Sequence, residues 1–102
     1  MDKPAPRVNS SMLKSYAGEV VTLAGKVREI DGRALFLQAS DFGEVTIKIP
    51  ENFECNEYIE IIGKVEHDLT LSYFSHNNPT GEINLPNYDK AITIARKFPD
   101  VF

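Results

Sequence analysis

Apolar and polar residues alternate through the middle of this chain. In EVTIKI, Val45, Ile47 and Ile49 fall on one side and Glu44, Thr46 and Lys48 on the other, the period-two pattern of a half-buried strand. Pro50 stops it. RALFLQA sends Leu35 and Leu37 one way and Phe36 the other. EVVTLAGKVREI puts Val21, Leu23 and Val27 on one face, with Gly25 between them, and Thr22, Lys26 and Arg28 on the opposite face. A glycine in mid-strand weakens pairing, so Gly25 predicts a bulge or sharp bend. Asp31-Gly32 predicts a tight hairpin turn, and SDFG turns the chain again. YIEIIGKVEH predicts a fourth strand, with Ile59, Ile61, Gly63 and Val65 on one face, and LTLSYF a short fifth.

Helical spacing appears only at the ends. RVNSSMLKSYAGE places Met12, Leu13 and Tyr16 within one turn, with Asn9, Ser10 or Ser11 as cap and Gly18 as the left-handed residue that closes it. After the polar connector PENFECNE and the loop SHNNPTGEINLP, the segment NYDKAITIARKFP predicts a closing helix. Asn87 is its expected N-cap, Asp89 suits its positive end, Arg96 and Lys97 its negative end, and Pro99 stops it.

VTLAGKV and IEIIGKV echo one another, with a glycine before Lys-Val in both. Two bent strands of similar role fit this better than a duplicated domain. Five short strands with two glycine bends curl into a closed barrel, so the expected class is all-β: a five-stranded OB-fold barrel with a C-terminal α-helix. The rival is an open five-stranded α+β sheet with the last helix across it. One domain is expected over residues 1–102: an arm and short helix over 1–18, barrel strands over 19–75, a loop over 76–86 and the helix over 87–98.

Charge narrows the function. Eleven Lys and Arg stand against fifteen Asp and Glu, a net −4, and tight phosphate binding by one chain rests on excess cations. The single Cys55 allows no internal disulfide, so a reducing compartment is expected. The start of the chain lacks a signal peptide's apolar core, and no run of about 18 apolar residues is present. His67, His76 and Cys55 do not follow a metal-ligand spacing; the histidines read as surface polar residues and Cys55 as a small packed one. No nucleophile–base pair or phosphate-cradling glycine motif is found, so catalysis, a cofactor, a metal and a small-molecule substrate are not called for.

Three blocks together resemble the small subunit of replication protein A: PRVNSSML near the start, VTLAGKV with IEIIGKV, and NYDKAITIARKFP at the end. The likeness covers nearly the whole chain. It implies an OB barrel whose C-terminal helix joins one helix from each of the large and middle subunits in a three-helix bundle. It also implies a nuclear heterotrimer that binds single-stranded DNA, mainly through those larger partners, in replication, repair and recombination. The small OB subunit of a telomere-capping complex has a related layout, and a protein-interaction module unconnected with DNA is the alternative of another class.

Two residue groups follow. Tyr88, Ala91, Ile92, Ala95 and Phe98 share helical spacing, and Ile94 widens the stripe. Such a helix covers its own barrel, meets a partner, or lays one face on the barrel and the other on foreign helices. Its shortness, which leaves it marginal alone, the polar loop before it and the small Ala91 and Ala95 favour a partner-helix interface. On the strands, Lys26, Arg28, Phe36 and Lys48 are candidate weak DNA contacts, because the outer face of an OB barrel is its usual groove and an exposed aromatic stacks bases. Glu44 lies on the same side, and an ordinary solvated face is the competing reading.

Overall fold

The computed structural model describes residues 5–79 and 81–97, with the backbone alone for 95–97. Strand β1 (Arg7–Val8) leads into a 3-10 helix (Ser10–Tyr16). Strands β2 (Val20–Asp31), β3 (Ala34–Ala39) and β4 (Glu44–Lys48) follow, then β5 (Tyr58–Val65), β6 (Leu71–Asn77) and helix α1 (Leu85–Lys97). The sheet order is β1-β2-β3-β4-β6-β5, and β5 pairs back onto β2. The five long strands therefore close into a barrel, and the open-sheet rival falls. The two-residue β1 adds a parallel edge to β2 at Thr22 and Leu23, a sixth strand too short to show in the sequence pattern.

The alternation predicted for β3, β4 and β5 holds. Leu35, Leu37, Val45, Ile47, Ile59, Ile61 and Val65 are buried in one core with Val21, Leu23 and Leu71. Met12 and Leu13 of the 3-10 helix, Val8 and Ile92 of α1 join that same core.

Strand β2 serves both halves of the barrel. Val20 to Lys26 pair antiparallel with β5, and Gly25 to Asp31 with β3. Gly25 sits where the two pairings overlap, and a Cβ there would strike the Gln38 carbonyl and the Leu37 side chain. Gly63 lies beside a bulge in the β5–β6 pairing, where a Cβ would come within 2.5 Å of the Ser72 carbonyl oxygen. At both glycines the missing side chain lets a third strand approach closely, but only Gly63 lies beside a bulge; the irregularity in β2 falls at Arg28, three residues past Gly25.

Four local expectations need correction. The β2–β3 hairpin loop is Gly32-Arg33, one residue further on, since Asp31 pairs with Ala34 and only Gly32 (φ 61°) is left-handed. Helix α1 begins two residues before the expected cap. Asn84 caps it, its side-chain oxygen accepting from the Asn87 amide at 3.1 Å. Pro86 is tolerated in that first turn, where its missing N–H has no intrahelical partner to lose. The 3-10 helix is not capped by its own Asn9, Ser10 or Ser11 side chain. The Asp41 carboxylate, from the β3–β4 turn, accepts the Ser10 and Ser11 amides at 3.2 and 3.1 Å and the Ser10 hydroxyl at 2.8 Å. Finally, His76 is more enclosed than a plain surface residue. It is half-buried, shares a 2.7 Å hydrogen bond with the Tyr73 hydroxyl and meets the Phe53 ring edge-on at 4.9 Å. His67 is exposed, and Cys55 is half-buried against the core, where burial pushes its thiol up.

Candidate assembly and nucleic-acid surfaces

Helix α1 has two faces with different chemistry. Toward the barrel, Leu85 and Ile92 are buried at 6% and 4% exposure. The Tyr88 hydroxyl donates to Glu60 Oε2 of β5 at 2.6 Å, and Arg7 Nε donates to the same oxygen at 3.3 Å. Burial pushes the Tyr88 phenol well up, and the Glu60 carboxylate pushes it further, so Tyr88 remains a donor across the physiological range. On the neighbouring side of the helix, Asp89 Oδ1 accepts from Asn9 Nδ2 at 2.7 Å and from the Ser40 hydroxyl at 3.0 Å. Asn9 and Ser40 are themselves buried. Among the described residues, no buried side-chain nitrogen or oxygen lacks a hydrogen-bond partner. Asp89 therefore belongs to this tether and not, as expected, to the helix's positive end.

The five residues expected to form one partner face divide. Tyr88 and Ile92 turn onto the chain's own barrel, whereas Ala91 is exposed. The Ala95 side chain and Phe98 lie outside the described residues. Ile94, which widened the stripe, is 45% exposed and shares the outward side with Ala91 and Asn87. Spacing identified the apolar residues but could not say which of two apolar faces looks home.

The strand residues proposed for DNA contact gather loosely. Phe36 is half-buried on the outer face, between Glu29 of β2 and Thr46 of β4. Lys26 pairs with Gln38, two residues along β3, and Lys48 with Ala34, two residues the other way. Lys26 and Lys48 thus flank Phe36 on a diagonal. Arg28 does not join them in register. A bulge between Val27 and Glu29 leaves it as the extra residue and gives its place beside Phe36 to Glu29, an acid. Part of the basic charge is already paired. Lys26 Nζ lies 3.3 Å from Glu57 and 6.0 Å from the centre of the Tyr58 ring, and Arg33 bonds Glu51 at 2.6 Å. Among the described residues, no three His, Cys, Asp or Glu side chains gather as a metal site.

A closed barrel with a parallel β4–β6 seam and a C-terminal helix tethered to it by one face is the OB fold. The whole chain, residues 1–102, matches the family model for replication factor A protein 3. The chain belongs to that family, the small subunits of replication protein A. Replication factor A protein 3 of Schizosaccharomyces pombe is 22% identical over 102 residues, which are all of this chain and 98% of the relative. A chain in the structure of U. maydis replication protein A bound to ssDNA is 31% identical, with TM-score 0.92, over 100% of this chain and 98% of that one. A chain of the S. pombe Stn1-ten1 complex, 17% identical with TM-score 0.75 over 95% and 96% of the two chains, shares the fold alone.

Proposed function

We propose that this subunit works by assembly, and that α1 is its assembly element. In this reading, α1 packs its outward side against one helix from the large subunit and one from the middle subunit, and single-stranded DNA is held mainly by those partners. The observation that carries it is the second apolar face: Ala91 and Ile94 stay exposed although the helix is already docked. A small residue followed one turn on by a branched apolar one suits close approach of another helix. Joining several weak DNA-binding modules raises avidity without a new contact from this chain. The nucleus is the natural compartment for such a complex. Native mass spectrometry of the complex purified through this chain should find two larger partners in equal amounts. Ala91→Arg should deplete both; recovery of the intact complex with that variant would overturn the reading.

Direct DNA contact is a minor part. The net charge of −4 and the acids beside Lys26, Arg33 and Phe36 support that. In fluorescence anisotropy at about physiological salt, the isolated chain should bind an oligonucleotide weakly and with strong salt dependence. Sub-nanomolar binding would contradict it.

A further inference from the structure

The described polar contacts between α1 and the barrel come from the helix's first half, and they come from two sides. Successive residues of an α-helix are about 100° apart around its axis. Tyr88 reaches Glu60 on β5, while Asp89 reaches Ser40 beyond the end of β3 and Asn9 beside β1. Ile92 falls between these two directions and enters the core. A helix held only by apolar contacts along one line, here Leu85 and Ile92, can roll about its axis, because apolar packing has no direction. Two hydrogen-bonded tethers on opposite flanks of that line remove the roll. Arg7 holds Glu60 from the far side of β2, and the Ser11 hydroxyl donates to the Asn9 side-chain oxygen at 2.8 Å, so each tether is itself held in place.

We infer that Glu60 and Asp89 are positioning residues for assembly: together they fix the roll of α1 on its own barrel, so that Ala91 and Ile94 face outward before any partner arrives. This rests on the assembly reading above and adds a cause for it. Neither carboxylate needs to touch a partner for this. Each acts by removing the ordering cost that a loosely attached helix would meet on binding, and that cost reduces apparent affinity by the fraction of molecules in the competent pose.

The test uses the full chain in three forms: the native sequence, Glu60→Ala with Asp89→Ala, and Glu60→Gln with Asp89→Asn. Amide hydrogen exchange on the free chain should show residues 88–94 protected in the native form. The alanine pair should lose that protection while β3 and β4 keep theirs. Its association with a preformed pair of large and middle subunits should slow by about tenfold or more. The amide pair keeps a hydrogen-bond acceptor at each site and should recover both readouts to within about threefold. Three results would overturn the inference: an unprotected helix in the native free chain, an alanine pair that associates at the native rate, or loss of barrel protection in step with the helix. Normal assembly of an Ile94→Asp chain would instead remove the assembly reading itself, so the two failures are distinguishable.

Discussion

The two faces of α1 are built from similar residues and put to opposite uses. Ile92 and Ile94 stand two residues apart on one helix, yet one is 4% exposed and the other 45%. The difference lies in what accompanies each. Ile92 sits among side chains with long-range polar partners, Tyr88 with Glu60 and Asp89 with Asn9 and Ser40. Ile94 sits among exposed neighbours, Ala91 and Thr93, of which Thr93 bonds only within its own helix, to the Asp89 carbonyl at 3.0 Å. An apolar residue surrounded by satisfied polar anchors is structural. One without anchors, on a face already rigid, is available.

Charge on the available face is the most severe way to break this contrast. Ile94→Asp should leave the lone chain within about 0.5 kcal/mol of native, because a half-exposed surface position tolerates polarity. In the complex it would bury an unpaired carboxylate and weaken association by roughly 3 kcal/mol or more, beyond a hundredfold. Isothermal titration with the partner subunits, beside a melt of the lone chain, reads both. Ile92→Ala should reverse the order. Truncating a buried isoleucine at the core's margin costs about 2–3 kcal/mol, or roughly 10–20 °C in melting temperature for a chain of this size. Equal responses from the two isoleucines would erase the distinction between the faces.

Tyr88→Phe sharpens the comparison by removing one anchor and keeping its ring. Loss of a hydrogen bond to a charged acceptor should cost about 1–2 kcal/mol at neutral pH. The alkaline limb carries the signature. The phenol's native pKa is raised by burial and by Glu60, so the native state holds the proton more tightly than the unfolded chain. That stability is fully present below the ordinary tyrosine value of about 10 and is lost as pH rises through the native one. Melts between about pH 9 and 11 should fall more steeply for the native protein than for Tyr88→Phe. Parallel curves would mean that Tyr88 is not held as described.

The barrel was legible because its information is local. Alternation at Val45, Ile47 and Ile49, or at Ile59 and Ile61, reports a face without reference to anything distant. The echo of VTLAGKV in IEIIGKV also had a structural meaning. The two segments pair with each other, Leu23 against Ile61, and each glycine admits a third strand. What escaped the reading depends on a partner far along the chain. The bulge at Arg28 exists only in relation to β3. The roles of Asp89 and Tyr88 depend on residues 80 and 28 positions away. Helical spacing grouped Tyr88 with Ala91 because both are apolar enough to be buried, and it had no means of knowing that the barrel would supply Glu60.

Asp41 tests the contrast at one remove, and with the smallest effect. Its carboxylate holds the Ser10 and Ser11 amides, the Ser10 hydroxyl and the Gly43 amide. Asn9, the next residue back, is the one that grips Asp89. Asp41 therefore anchors the arm to which one side of α1 is tied. Burial pushes its carboxyl up, but the Ser10 hydroxyl and the Ser11, Ser10 and Gly43 amides together outweigh that and hold it below the usual range. The native state thus favours the ionised form. The resulting stability is present above the ordinary aspartate value of about 4 and is lost as pH falls through the lowered native value. In Asp41→Asn one acceptor remains, and the amide NH₂ faces at least one backbone amide that can only donate, although the Ser10 hydroxyl can turn to accept from it. The loss at neutral pH should be about 1 kcal/mol, the usual worth of a helix N-cap. The variant's melting temperature should also fall less between about pH 4 and 2 than that of the native protein. Exchange in the free chain then decides whether the arm supports the helix: the 3-10 amides of residues 10–13 should lose protection first, and those of α1 should follow to a smaller degree. If α1 stays fully protected while the 3-10 helix opens, the Asn9 bond is dispensable, and the docked face of α1 is held by Tyr88, the Ser40–Asp89 bond and the buried Leu85 and Ile92.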